Sequence, residues 1–221
     1  MSTFATHEVL NQSAPFEDVN LFALDKPLQE AVAREGGADA IPRLVQFGGK
    51  AGSKLALEQG RLANEHVPKL KTHDAKGRRL DTVEFHLAWH WLMSTSMAEG
   101  LHALPWMHLD GKAPLRPGAN VERAGAFYMA AQMETGHCCP VTMTNACVPV
   151  IQQHPELSAV WLPKILARQY DPRFIPATAK TAVTIGMGMT EKQGGTDVRA
   201  NTTRAEPVAG SEGDYRLVGH K

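Results

Sequence analysis

The feature that most restricts the fold is a change of sequence pattern at Asp171-Pro172. Helix signals recur before it, whereas β-branched and small residues alternate after it. The sequence therefore predicts a mainly α protein: an irregular arm (1–24), a helical domain (25–176) and the first strands of a β domain (177–221). Because an isolated hairpin is marginal, these strands are expected to belong to a larger domain or to pair elsewhere.

Start and stop signals place the predicted helices. Asp25-Lys26-Pro27 opens a short helix that Gly36-Gly37 ends, and Ser53 opens another. Asp74–Gly77 is a turn, after which Asp81 and Glu84 form a capping-box pattern that predicts a long helix from Asp81 to Gly100.

Later helices are predicted with less regular boundaries. One covers residues 121–136 and ends at Gly136; the next has Pro140 in its first turn and is kinked or ended by Pro149. Residues 158–169 are predicted to be helical. Strand composition then marks the segments KTAVTIGM, NTTRAEP and DYRLVGHK, with turn residues between the last two.

Composition excludes several classes of protein. The chain has 221 residues, with 23 basic and 23 acidic side chains, so its charge indicates neither a nucleic-acid tail nor attachment to an anionic membrane. The N-terminus has no signal-peptide pattern, and no segment is long enough to span a membrane. Cys138, Cys139 and Cys147 do not form a disulfide framework, which favours a reducing, cytoplasmic setting.

Three groups of polar residues have a structural interpretation that is favoured over a chemical one. His86 and His90 share a face of the predicted long helix but lack the glutamate of a zinc-binding motif, so core histidines are favoured. Burial explains the cysteines better than a metal or thiolate site. The basic cluster around the turn is interpreted as a solvated surface rather than a phosphate site; it comprises Lys69, Lys71, Lys76, Arg78 and Arg79.

The segment GMGMTEKQGGTD, residues 186–197, lacks the third glycine of a dinucleotide fingerprint and the Gly-Lys-Ser/Thr of a phosphate loop. It predicts an extended strand ending at Thr190-Glu191, followed by a Gly194-Gly195 turn with positive φ. An ordinary strand and turn is one interpretation. The other is that the strand end offers backbone N–H groups and the Thr190 hydroxyl to a flat ligand such as a reduced flavin.

This segment, with YRLVGHK after it, resembles the flavin-contacting segment of the acyl-CoA dehydrogenase superfamily. Within the superfamily the chain is most similar to the AidB branch, through RLANEHVPKL, DAKGRRLDTVEFHLAWH, CCPVTMTNACVP and MGMTEKQGGTDVRANTTRAE. Lys192-Gln193, where Pro-Gly is frequent in the superfamily, and Thr196, where Ser is usual, depart from the common pattern. The resemblance implies an N-terminal helical domain followed by an incomplete β-barrel-like middle domain.

The resemblance also implies a cofactor and its contacts. FAD would be lined by Met187, Gly188, Met189, Thr190, Glu191, Lys192, Gln193, Gly194, Gly195 and Thr196. Thr190 would lie near the isoalloxazine ring, Glu191 would be structural support, and Thr196 would approach the FAD phosphates or an acyl-CoA headpiece. No metal site is implied, and no residue here is assigned as a catalytic base, because the superfamily takes that glutamate from a third domain.

Two functions follow from the resemblance. The first is the N-terminal portion of an FAD-dependent oxidoreductase that acts on a CH–CH group of an acyl-CoA thioester, in a homotetramer. The second is a flavoprotein of the response to DNA alkylation, which would bind DNA through a C-terminal domain. Under either, the 221-residue chain alone is expected to lack catalysis.

Overall fold

The computed structural model describes residue 4 and residues 6–111 and 114–221. Residues 1–3 and 5 of the predicted arm and 112–113 of the predicted helical domain lie outside the described residues. The mainly α architecture is confirmed. The helices are α1 Leu21–Leu24, α2 Lys26–Arg34, α3 Ile41–Ala51, α4 Lys54–Glu65, α5 Leu87–Ala98, α6 Ala119–Met133, α7 Cys138–Ile151 and α8 Pro155–Ile165.

Four short strands form two antiparallel hairpins: β1 Lys69–His73 with β2 Arg79–Glu84, and β3 Arg204–Pro207 with β4 Tyr215–Val218. The chain separates into two compact units, one ending at Ile185 and the other covering Gly186–Lys221. Each unit is described by itself. The predicted domain boundaries at 24/25 and 176/177 stay predictions.

Side-chain caps fix two of the predicted helix starts. The Asp25 carboxylate accepts a hydrogen bond from Leu28 N at 2.9 Å, and Ser53 Oγ accepts one from Ala56 N at 3.2 Å. Each cap satisfies a backbone donor that the first helical turn leaves unpaired. The predicted starts of α2 and α4 are therefore confirmed.

The core of the first unit consists of two apolar clusters. The larger joins α1–α7 and includes Phe22, Leu44, Leu92 and Met129, each almost fully buried. The smaller surrounds Val148 and Ile165 between α7 and α8. Within the described residues, no helix combines the length and apolar character that crossing a membrane requires.

A buried polar network joins four helices of this unit. At the end of α6 the backbone of Glu134 is extended, and its carboxylate accepts hydrogen bonds from Gly136 N at 2.5 Å and His137 N at 2.6 Å. Asn64 Nδ2 of α4 donates to the same carboxylate at 3.3 Å. His137 Nε2 is 2.8 Å from Ser96 Oγ of α5. The network thus connects α4, α5 and the α6–α7 junction.

Two glycine positions show why these helices can approach closely. A Cβ on Gly60 of α4 would lie 2.0 Å from the carbonyl oxygen of Met133, at the end of α6. Such a contact is impossible without backbone movement, so the α4–α6 crossing requires glycine. Gly100, after α5, has a φ of +75°, as expected for a helix-ending glycine.

The predicted long helix from Asp81 is wrong in its first turn and a half. Asp81 and Glu84 belong to β2, with Lys69 opposite Glu84, and α5 begins only at Leu87 with His86 as its N-cap. The predicted Asp74–Gly77 turn is confirmed and explains the difference. Asp74 accepts hydrogen bonds from the backbone at 76 and 78, which closes a hairpin that competes with the helix start.

Other boundaries also differ from prediction. α6 ends at Met133 rather than Gly136, because Glu134 caps the following helix instead of continuing its own. α8 covers Pro155–Ile165 rather than 158–169, with Pro155 at its favoured first position. α7 continues two residues past Pro149 and ends at Ile151, so the predicted end is close to the observed one.

The predicted strand KTAVTIGM does not form within the described residues, although the other two predicted strands do. Its backbone is held by helices instead of a neighbouring strand. Val183 N donates to the Lys164 carbonyl at 3.2 Å, and Ile185 N donates to Thr144 Oγ1 at 3.0 Å. These contacts take up donors that a sheet would otherwise use.

We predict that Glu134→Gln lowers the free energy of unfolding by about 2–4 kcal/mol, because neutral Gln cannot accept the charge-assisted hydrogen bonds at both backbone donors. Chemical denaturation followed by circular dichroism measures this change. The pKa of Glu134 is lower in the folded chain than in the unfolded chain. Its contribution to stability is therefore fully present above the unfolded pKa and is lost as the pH falls through the folded pKa. The difference between the variant and the wild type should therefore narrow below about pH 4.

A matched control is Glu58→Gln, since Glu58 is an exposed glutamate of α4 that pairs with Arg61. Its expected effect on the free energy of unfolding is much smaller than that of Glu134→Gln, because solvent screens an exposed ion pair. Equal effects of the two substitutions would contradict the role given to Glu134.

Candidate functional site

The second unit is organised around the buried carboxylate of Glu191, which is 5% exposed. It accepts hydrogen bonds from Thr202 N at 2.8 Å and Thr203 N at 3.1 Å, and forms an ion pair with Lys221 Nζ at 2.8 Å. The Lys221 ammonium and the donors at Thr203 and Thr202 hold the pKa of Glu191 well below its usual range. Glu191 is therefore an ionised clamp and not a proton acceptor near neutral pH.

A tight turn follows the clamp. Glu191 N donates to the Gly194 carbonyl at 2.9 Å, and Gly194 N donates back to the Glu191 carbonyl at 3.1 Å. The predicted positive φ at Gly194 and Gly195 is wrong, because neither is among the described residues in that region. Glycine is required at 194 for space: a Cβ there would lie 2.8 Å from the Asp197 carbonyl oxygen.

The backbone at residues 186–190, directly before Glu191, is hydrogen-bonded on one side and accessible on another. The Met189 carbonyl accepts hydrogen bonds from Asn201 Nδ2 at 2.8 Å and Lys221 Nζ at 3.1 Å. Among the described residues, a Cβ on Gly186 would meet nothing within 4 Å, and one on Gly188 would meet Lys221 Cβ at 3.7 Å. The segment thus presents backbone without bulky side chains, which a flat ligand can approach closely.

The structure brings the predicted site residues together on one short segment, with most of them exposed. Glu191 and Gly194 are buried. The exposed ones are Met187, Gly188, Met189, Thr190, Lys192, Gln193, Gly195 and Thr196. Thr190 lies next to Gly195, where a Cβ would be 3.2 Å from Thr190 Cγ2. A hydroxyl and open backbone therefore lie beside a rigid turn.

Sequence reasoning missed the residues that support this segment. Asn201, Thr202, Thr203 and Lys221 all contact either Glu191 or Met189. They lie ten or more positions further along the chain, and no local motif marks them. The general rule that a buried carboxylate needs donors could have predicted that partners exist, but not which ones.

The two histidines of the predicted long helix have separate surroundings. His86 caps α5 through a hydrogen bond from Ala88 N at 3.2 Å, and its ring stacks on His66 with centroids 4.5 Å apart. His90 is half-buried, with Nδ1 2.9 Å from the Tyr170 hydroxyl. The hydrogen-bonded interpretation is confirmed for both. Among the described residues, no group of three His, Cys, Asp or Glu side chains could hold a metal ion.

Burial explains two of the three cysteines. Cys138 and Cys147 are buried, and burial raises the pKa of the Cys138 thiol to about 11. Cys139 is exposed, so the prediction of burial is wrong there. It precedes Pro140 at the start of α7 and faces away from the core that Cys138 enters.

The basic cluster is a solvated hairpin surface, as predicted. All of β1 and nearly all of β2 are exposed on both faces. Lys71 pairs with Glu84 at 3.1 Å, and Arg79 pairs with Asp81 at 2.6 Å, so acidic neighbours compensate part of the positive charge. Exposed basic residues with acidic neighbours between them are typical of a solvated surface.

Ser96, His137 and Glu134 have the connectivity of a hydrolase triad. His137 Nδ1 is 3.1 Å from the Glu134 carboxylate, and its Nε2 is 2.8 Å from Ser96 Oγ. Burial lowers the pKa of His137 despite the adjacent carboxylate. However, Ser96 and His137 are at most 1% exposed, so no substrate can reach the serine. The arrangement is structural.

The sequence model of a family described as the adaptive response protein AidB N-terminal domain matches residues 11–172. The chain belongs to this family. The predicted resemblance to the AidB branch is thereby confirmed, and the match covers α1–α8.

Two curated relatives extend the comparison. A putative acyl-CoA dehydrogenase AidB from Escherichia coli (strain K12) is 46% identical over 217 residues, which cover 98% of this chain and 39% of the relative. Acyl-CoA dehydrogenase family member 11 from Caenorhabditis elegans is 27% identical over 94% of this chain and 32% of the relative. The AidB-family chain thus spans well under half the length of either relative.

Solved structures show the same fold. The apo-form of Bd2924 superposes with a TM-score of 0.75 at 25% identity, covering 95% of this chain and 40% of that one. C. elegans ACDH-11 in complex with C11-CoA gives a TM-score of 0.72 at 22% identity, covering 98% and 36%. The chain therefore has the architecture of the N-terminal part of acyl-CoA dehydrogenase-like proteins.

We predict that Glu191→Gln accelerates amide hydrogen exchange at Thr202 and Thr203 on the order of tenfold, because a neutral amide is a weaker acceptor and loses the Lys221 ion pair. Nuclear magnetic resonance on the 221-residue chain measures the rates. The control is Glu206→Gln on β3, a glutamate that pairs with Arg204 and Arg216 and should leave both amides unchanged. Unchanged rates in Glu191→Gln would contradict the clamp.

Proposed function

We propose that this chain is the N-terminal portion of an FAD-dependent acyl-CoA dehydrogenase-like oxidoreductase. The reaction of the complete protein is then α,β-dehydrogenation of an acyl-CoA thioester. The observation that carries the proposal is the open backbone at residues 186–190, held rigid from below by the ionised Glu191. The names of the curated relatives support the reaction class.

The second unit fits a flavin by its chemistry. An isoalloxazine ring is flat and carries carbonyl and ring-nitrogen acceptors, which suit exposed backbone N–H groups and a hydroxyl. Residues 187–196 would hold FAD, with the Thr190 hydroxyl towards the ring and Thr196 towards the phosphates or the CoA headpiece. Bound FAD would supply a hydride acceptor. Lys192 is exposed and supplies positive charge beside this segment.

In this proposal the chain's own residues orient the cofactor and support the segment that holds it. None of them removes a proton. The carboxylate of Glu191 is occupied by backbone donors and Lys221, which holds the segment in one conformation. Positioning of this kind lowers the entropy cost of binding a cofactor in a productive geometry. An acyl-CoA ligand, a homotetrameric assembly and a cytoplasmic location belong to the same proposal; the free thiols of all three cysteines support the last.

We predict near-background flavin absorbance for the purified 221-residue chain, because it matches only 39% of the E. coli relative. A chimera in which this chain replaces the matching segment of that relative should bind FAD. In the chimera, Thr190→Val should weaken FAD binding by about tenfold through loss of one hydrogen bond at a desolvated site. Fluorescence titration measures both.

The control for this prediction is Thr178→Val, the same change at an exposed threonine of the first unit. Equal affinities in the two chimeric variants would contradict the role of Thr190. Stoichiometric FAD on the isolated chain would instead contradict the dependence on the remaining segment.

A second function is favoured by the family's description as an adaptive response protein. In this alternative the flavoprotein acts in the response to DNA alkylation and binds DNA through a C-terminal domain that is outside this chain. We predict no saturable binding of duplex DNA by the chain itself at about 50 mM salt, because its 23 basic and 23 acidic residues balance. Fluorescence anisotropy tests this. Salt-sensitive binding would locate a DNA surface in the AidB N-terminal domain.

A further inference from the structure

A cavity of about 400 Å³ lies within the first unit, between the start of α5 and the segment 170–184. All its lining residues lie between Val83 and Thr184, so it contains no residue of the proposed flavin segment. Its volume is within the range of small-molecule sites, roughly 300–1,000 Å³. The function proposed above does not use this cavity.

Part of the cavity wall is apolar and aromatic, and the rest is polar. The rings of Phe85 and Trp89 stack with centroids 5.2 Å apart. Met93 and Met97 contribute buried thioether side chains, 2% and 1% exposed. Phe174 is a large apolar side chain on the lining that is 67% exposed. Stacked rings and adaptable methionines suit a small aromatic or aliphatic body.

The histidine in this cavity has one ring nitrogen left for a ligand. His90 Nδ1 is 2.9 Å from the Tyr170 hydroxyl, which occupies that nitrogen. Within the described residues no hydrogen bond engages Nε2. When the Tyr170 hydroxyl donates to Nδ1, Nε2 carries the ring proton and is a donor.

The carboxylates near the cavity are already occupied. Asp171 accepts hydrogen bonds from Arg173 Nε at 2.8 Å, from Arg173 Nη2 at 2.6 Å and from Thr181 N at 3.0 Å. The Arg173 guanidinium and the Thr181 amide hold the pKa of Asp171 well below its usual range. Glu84 pairs with Lys71, 3.1 Å away. Neither acid is a free acceptor for a ligand.

One cation on the lining has no such partner. Lys180 is half-buried, and in the part of the chain that the structure describes no carboxylate lies within ion-pair distance of its ammonium. The polar groups left for a ligand include the Lys180 ammonium, the His90 Nε2 and the Thr184 hydroxyl. Donors of which one is charged select an anionic acceptor.

We propose that this cavity binds a small monocarboxylate with an aromatic or short aliphatic body. Lys180 and His90 hold the carboxylate, and the body lies among Phe85, Trp89 and Met97. The inference is independent of the proposed flavin function, because every group it uses belongs to the first unit.

The test is isothermal titration of the 221-residue chain with 3-phenylpropionate and with its neutral amide, 3-phenylpropanamide. The carboxylate should bind saturably with one-to-one stoichiometry and at least about fivefold more tightly than the amide, because only it gains the charge-assisted contact. Octanoate, titrated in parallel, reports whether an aliphatic body is accepted. Absence of saturable binding by both carboxylates would overturn the proposal.

Lys180→Gln should weaken 3-phenylpropionate about fivefold, to the level of the amide, and leave the amide unchanged. Lys76→Gln makes the same charge change at the exposed hairpin turn and should alter neither ligand. Equal effects of the two lysine variants would show that general electrostatic attraction, and not the cavity, holds the ligand. Tyr170→Phe removes the hydroxyl that lies 2.9 Å from His90 Nδ1 and should weaken binding of the carboxylate without changing the fold seen by circular dichroism. Unchanged affinity would remove His90 from the site.

Discussion

The helical unit depends on the buried carboxylate of Glu134. Moving a carboxylate out of water costs several kcal/mol, so the site forms only where donors converge. Here burial alone would raise the pKa of Glu134, but hydrogen bonds from His137 and Gly136 outweigh it and keep the group ionised. Those donors are the backbone N–H groups of the two residues that directly precede α7. The requirement to satisfy this charge therefore fixes where α6 ends and how α7 begins.

The position of α7 matters beyond the junction. Thr144 of α7 accepts a hydrogen bond from Ile185 N at 3.0 Å, and Lys164 of α8 donates through Nζ to the carbonyl oxygens of Ala177 and Thr178. These contacts hold the irregular segment 177–185 against the helices. The same segment supplies Lys180 and Val183 to the cavity. The Glu134 network thus positions α7, and α7 and α8 in turn hold the last residues of the first unit.

Local signals account for much of what the sequence predicted. Asp25 and Ser53 cap helices because a cap needs only the residue itself and donors two or three positions away. The prediction of a helix from Asp81 was wrong because its capping-box pattern is equally compatible with β2. The residues that pair with β2, Lys69–His73, lie earlier in the chain. Similarly, Glu134 looked like an ordinary helix residue, since Asn64 and Ser96 are far from it in sequence.

Glu134 and Glu191 are both buried carboxylates that need hydrogen-bond donors, but their surroundings differ. Those surroundings limit the function of each residue. Both are buried, accept two backbone N–H groups and remain ionised. Glu134 is enclosed by helices, so its triad-like connection to His137 and Ser96 contributes rigidity and not hydrolysis. Glu191 leaves an exposed backbone beside it, so it can organise a ligand surface. Because a carboxylate with a depressed pKa is a poor base, neither residue can remove the α-proton in the proposed dehydrogenation.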